Sequence, residues 1–192
     1  MSKIVERIEK LRAIHSDLLR IEPFQDIGLV GNPGATLAQI EAAEARIGMR
    51  LPPSYREFLR LHDGFPRFFE GTHLLGTRSL GDRSHDAFAR AAFAGAESPA
   101  MASTPGLAST MRRRRGFERV IPFGVDPQAT TLFAFNPDVS RTGGECEVIA
   151  WIHELGVRRP DFASFLDLLI EFAEHERTRA GGGSATSLRA SA

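Results

Sequence analysis

The sequence predicts an α+β domain in which N-terminal helices precede a central, mostly antiparallel β-sheet and a C-terminal helix packs on that sheet. Apolar residues recur at helical spacing up to Gly64, alternate at strand spacing from Phe117 to Ile152, and return to helical spacing after Asp161. The joints between the strands are short, which favours antiparallel pairing, since a parallel pair needs a long crossover. At 192 residues the chain suits one domain with a sizeable core. We place that domain at residues 1–176, with a flexible insertion at 95–116 and a disordered tail at 177–192.

Ile4, Ile8, Leu11, His15 and Leu18 share one face of a helix expected from Lys3 to Ile21, and that face is expected to pack on the domain. Pro23 ends it, and Gly31-Asn-Pro-Gly34 forms a loop. Thr36 and Gln39 fit a capping box that opens a second helix, and Gly48 closes it in the left-handed conformation. Leu37, Ile40, Glu44 and Ile47 fall at helical spacing beside Ala43, a mostly apolar stripe, with Glu41, Ala45 and Arg46 toward water. Pro52 keeps Met49 to Leu51 extended, and Pro53 suits the first turn of a third helix. Tyr55, Phe58, Leu59 and His62 form the face of that helix, and Gly64 is its expected stop.

Phe65 to Phe69 and Thr72 to Leu75 read as two short strands about a turn at Glu70-Gly71. A short helix is expected within Ser79 to Ala94, capped by Asp82 or Ser84, with Phe88 and Ala92 inward. From Gly95 to Gly116 the composition shifts to Ala, Ser, Thr, Pro and Gly, and Arg112-Arg-Arg-Arg115 closes this insertion. Further strands are expected at Arg119 to Phe123, Thr130 to Phe135 and Cys146 to Ile152, with turns at Asp126-Pro127, Asn136-Pro-Asp138 and Gly143-Gly144. Alternation sets Cys146, Val148, Ala150 and Ile152 toward the core, and Glu147, Ile149 and Trp151 on the opposite face. Asp161 caps the last helix, whose apolar face is Phe162, Phe165, Leu166, Leu169 and Ala173.

Composition excludes some functions. The 24 basic and 24 acidic residues cancel, so no global field draws the chain to nucleic acid or anionic lipid, and any charged partner must meet a local patch. One cysteine cannot build an internal disulfide framework, and the N-terminus, broken by charges every few residues, is neither a secretory signal nor a membrane span. A cytoplasmic location is therefore expected. The run Arg112 to Arg115 can meet phosphates or an acidic protein surface, but it lacks interleaved aromatics, which argues against nucleic acid as the partner.

Catalytic and metal chemistry find little support. His62-Asp63, His85-Asp86 and His153-Glu154 are sequence neighbours, and neighbouring side chains diverge on a strand or a helix, so adjacency builds no dyad. Cys146 lacks the paired spacing of a zinc site, and in a strand it reads as a buried thiol. GNPGAT at 31–36 lacks the lysine and the strand–helix setting of a phosphate loop. No cofactor is expected.

The ordered set Ile40, Glu41, Glu44, Ile47, Gly48, then Leu51, Pro52, Tyr55, Phe58, Leu59 and a closing Asp63-Gly64 resembles the N-terminal signature of the SUKH superfamily. Ile121-Pro-Phe-Gly124 and its aromatic strand are similar to the family's central hairpin, VIAWIHE at 148–154 to a further strand, and FASFLDLL to its closing helix. Where the family often carries a Gly-Asp step, this chain has Asp126-Pro-Gln-Ala-Thr130. The resemblance, which covers roughly Thr36 to Glu174, implies a SUKH-like fold. It also implies a non-enzymatic role, either as an immunity protein that neutralises a cognate toxin protein domain or as a regulatory interaction scaffold. A hydrolase or nucleotide-binding enzyme, the third possibility, would need His62, His85 or His153 to converge with carboxylates. The expected contact surface is the exposed face of the sheet with its surrounding loops. Asp63, Arg112, Arg113, Arg114, Arg115, Asp126 and Trp151 are its candidate partner-binding residues.

Overall fold

Helix α1 (Lys3–Ile21) occupies the span that its apolar spacing predicts, and the Ser2 hydroxyl at its start accepts from the Ile4 amide. The computed structural model describes residues 2–87, 89, 119–128, 130–140, 142–152 and 155–187. Ile4, Ile8, Leu11, His15 and Leu18 are buried along α1, and Ile14 joins them. Helix α2 (Leu37–Ile47) carries both halves of the capping box and stops at Gly48, whose φ of 72° strains any residue with a β-carbon. Of its stripe only Ile40 and Ala43 are buried, and Leu37 is exposed.

Helix α3 (Pro53–Leu61) ends before the expected stop at Gly64, and His62 leaves the helix to set its ring 5.4 Å from that of Phe65. Tyr55, Phe58 and Leu59 are its buried face. Pro52 gives α3 no side-chain cap of its own. Glu145 supplies one from across the fold, accepting from the Ser54 amide at 2.9 Å and the Ser54 hydroxyl at 2.7 Å. Glu44 ties the corner between α2 and α3, accepting from the Leu51 amide and from Arg56, each at 2.7 Å.

Six strands follow in sheet order, every neighbouring pair antiparallel. They are β1 (Phe65–Phe69), β2 (Thr72–Leu74), β3 (Ile121–Val125), β4 (Thr131–Ser140), β5 (Cys146–Ile152) and β6 (Leu155–Arg159). Helix α4 (Phe162–Ser187) follows, with the Asp161 carboxylate accepting from the Ser164 amide at 2.7 Å. The architecture is thus the predicted α+β arrangement.

The structure departs from expectation at several points. β4 runs through the turn expected at Asn136-Pro-Asp138, and its register against β5 slips between Asn136 and Ser140. That irregularity accommodates Pro137, which has no N–H to give a ladder. β6 was not anticipated, because LGVRR lacks apolar alternation; it pairs with β5 through Ile152 and Leu155. α4 continues to Ser187, beyond the boundary expected at residue 176. Residues 83–87 are helical, with Asp82 accepting from the Ser84 amide at 2.8 Å; Phe88 and Ala92 lie outside the described residues, as does the insertion 95–116.

The core sits between the inner face of the sheet and the helices. Tyr55 is its hub, fully buried, with its ring 5.0 Å from Phe162 and 5.1 Å from Phe135. Its hydroxyl donates to the Leu75 carbonyl at 2.7 Å, which satisfies a polar atom that would otherwise oppose burial. Cys146, Val148, Ala150 and Ile152 face this core as alternation predicts. The outer face is also buried over β4 and β5, where Leu132, Ala134, Ile149 and Trp151 cluster with Ala89. This corrects the expectation of an open sheet face: four apolar side chains in a row there favour cover over solvent.

Candidate partner-binding clefts

Asp63 follows α3, where the chain must turn sharply back toward β1. Asn32 and Pro33 hold that turn: the Asn32 side-chain amide donates to the Asp63 carbonyl at 2.9 Å, and the Asp63 amide donates to the Pro33 carbonyl at 3.1 Å. Gly64 takes a φ of 86°, open to glycine at little cost. The Asp63 carboxylate accepts from the Thr77 amide and, at 2.9 Å, from the Thr77 hydroxyl, so it fixes the loop after β2. Between these segments lies a cleft of about 380 Å³, lined by Asn32, Gln39, Asp63, Arg78 and Ser79 among others. Arg78 is exposed, so the cleft offers both charge signs.

Asp126 closes β3 and organises the next turn. Its carboxylate accepts from the Thr130 amide at 2.8 Å, the Thr130 hydroxyl at 2.6 Å and the Thr131 amide at 3.1 Å. It is 8 % exposed, a buried turn-former rather than an open anchor. Its edge nevertheless lines a second cleft, of about 510 Å³, between α1, the segment 25–27, the β1–β2 and β3–β4 turns and α4. Leu18, Ile27, Phe69 and Ala173 make its apolar part; Asp26, Glu70, Asp126 and Glu176 bring four carboxylates. Asp26 meets Arg67 at 3.4 Å, and Glu176 meets Arg179. His15 also lines this cleft, and burial pushes its pKa down to about 4.

Asp63 and Asp126 therefore line separate clefts. Trp151 is 9 % exposed in the outer cluster and braces the sheet instead of standing open as an anchor. Arg112, Arg113, Arg114 and Arg115 lie outside the described residues, as do His153 and Glu154. Cys146 is buried, and burial followed by the charge of Glu145 pushes its thiol up, away from the thiolate that a nucleophile or metal ligand needs. Among the described residues no group of three or more His, Cys, Asp or Glu is placed to hold a metal, and no helix is long and apolar enough to cross a membrane. Helical spacing sets His15 on the buried face of α1 but carries no sign that it lines a cleft, and the cap from Glu145 acts across 91 residues of sequence.

Leading helices, an antiparallel meander and a closing helix are the arrangement that the resemblance implies. The model of the SMI1 / KNR4 family (SUKH-1) matches residues 34–171, and the chain belongs to that family. The curated proteins gave no match. The matched span takes in the Asp63 cleft except Asn32 and Pro33, whereas α1, the segment 25–27 and the α4 residues of the second cleft lie outside it.

Proposed function

We propose that this chain is a non-enzymatic immunity protein that binds a cognate toxin protein domain and blocks it, acting in the cytoplasm. The observation that carries this reading is the family match over residues 34–171, taken with the immunity role that the resemblance to the SUKH superfamily implies. Blocking by binding requires complementarity and a few anchors, not an activated nucleophile. The loop-lined clefts beside Asp63 and Asp126 are the surfaces we assign to contact, with Arg112 to Arg115 meeting acidic groups on the toxin.

The test is co-purification with the toxin domain encoded beside this gene, followed by calorimetric titration. Tight stoichiometric binding that abolishes toxin activity is the expected result. Failure to bind that neighbour or any related toxin domain would overturn the reading and move the weight to a regulatory interaction scaffold.

A further inference from the structure

We propose that the cleft beside Asp63 receives the carboxylate of an aspartate or glutamate side chain presented by the partner protein, with Arg78 as its anchor. This deepens the reading above, on which it rests for the partner being a protein. The cavity of about 380 Å³ is of ligand size, and Asn32, Gln39, Asp63, Arg78 and Ser79 supply its polar side chains. The fold already occupies most of their acceptors. Each oxygen of the Asp63 carboxylate accepts from Thr77, one from the amide and the other from the hydroxyl. The Gln39 side-chain oxygen accepts from the Thr36 amide at 2.8 Å and the Thr36 hydroxyl at 2.9 Å, which orients the carboxamide and leaves its NH2 group as the free end. Donors are what remain. That NH2 group, the Ser79 hydroxyl and the Arg78 guanidinium have no partner among the described residues, against one free acceptor, the Asn32 side-chain oxygen.

A second observation is independent of that inventory: the loop that carries Arg78 is pinned, and a further cation does the pinning. Arg46, from α2, donates its Nε–H to the Leu80 carbonyl at 2.8 Å and an Nη2 hydrogen to the Thr77 carbonyl, so it clasps the chain on either side of Arg78 and Ser79. The Tyr55 hydroxyl holds the Leu75 carbonyl at 2.7 Å just before them. The loop therefore needs no ordering when a partner arrives. Among the described residues no carboxylate pairs with Arg46 or Arg78, whereas Arg7, Arg56 and Arg67 each meet one. Two unneutralised guanidinium groups against one engaged carboxylate favour an anion, and the exposed, planar fork of Arg78 matches a carboxylate with two parallel hydrogen bonds.

The experiment is two-dimensional NMR of the full chain titrated with the capped tripeptide Ala-Glu-Ala, set against its neutral counterpart Ala-Gln-Ala. Saturable shifts are expected at the Gln39 side-chain NH2, the Arg78 Nε–H and the Ser79 amide, with the glutamine peptide at least about tenfold weaker. Arg78 is exposed and unpaired, so its variants keep the fold. Arg78→Glu should abolish the shifts by setting a like charge against the peptide, and Arg78→Lys, which keeps the charge and loses the fork, should bind more weakly than the parent chain. Absence of saturable shifts, or equal response to both peptides, would overturn the proposal. Toxin-domain binding that Arg78→Glu leaves unchanged would also overturn it while leaving the immunity reading intact. Saturation of the cleft by Ala-Glu-Ala in a chain that binds no toxin domain would support the site and count against immunity.

Discussion

The two faces of the sheet share the same alternating strands and are buried by different chemistry. On the inner face Phe123 stacks on Phe135 at 4.2 Å and meets Phe165 edge-on at 5.5 Å, within an aromatic network that includes Tyr55 and Phe162. On the outer face smaller residues, Leu132, Ala134, Ile149 and Ala89, surround Trp151. Beside them runs a polar network: Glu147 accepts from Asn136 and from Arg158, each at 2.9 Å, while only 6 % exposed. The inner face depends on the fit of large rings; the outer face depends partly on a carboxylate staying paired, since a buried charge is tolerated only with partners.

Substitutions on one strand separate these modes. Phe135→Ala, on the inner face of β4, should cost about 3–5 kcal/mol in urea denaturation, because the rings around it cannot collapse into the space. An outer-face loss of equal size would make the two faces equivalent. Leu132→Ala, on the outer face of the same strand, should cost about 2–3 kcal/mol.

Acid probes the packing of α1 on α4, where His15 sits. Its folded pKa of about 4 lies below the ordinary 6.5, so the unfolded chain takes up the proton first. Stability is therefore fully present above about pH 6.5 and drains as pH falls toward 4, by roughly 2 kcal/mol at pH 4.5. In urea denaturation at pH 7 and pH 4.5, His15→Leu should remove that part of the acid loss; an unchanged loss would assign it to other groups. The smallest effect is expected for Glu147→Gln, which keeps the shape and an acceptor but removes the charge facing Arg158, at about 1–2 kcal/mol. A stabilised variant would show that the outer network serves something other than stability.

Much of the fold was legible because its signals are local. The span of α1, the capping box at Thr36, the helix stop at Gly48, the turn at Asp126 and the cap at Asp161 all depend on residues within a few positions of one another. Alternation along β5 likewise sorted Cys146, Val148, Ala150 and Ile152 from Ile149 and Trp151. It did not disclose that both faces are buried, because periodicity reports sidedness and not what lies against each side. The candidate site was legible only in part: Asp63 and Asp126 were singled out, yet each spends its carboxylate on its own loop.

The sequence by itself determined the element types, most of their bounds and the family, since these follow from short-range spacing, caps and an ordered motif. Tertiary structure alone decided that Glu145 caps α3, that Glu44 clamps the α2–α3 corner and that His15 and Asp126 line one cleft. The physical reason is distance along the chain. A capping carboxylate, a pair of charges or a cleft wall is chosen by what packing brings within about 3–4 Å, and side chains far apart in sequence carry no local mark of that encounter.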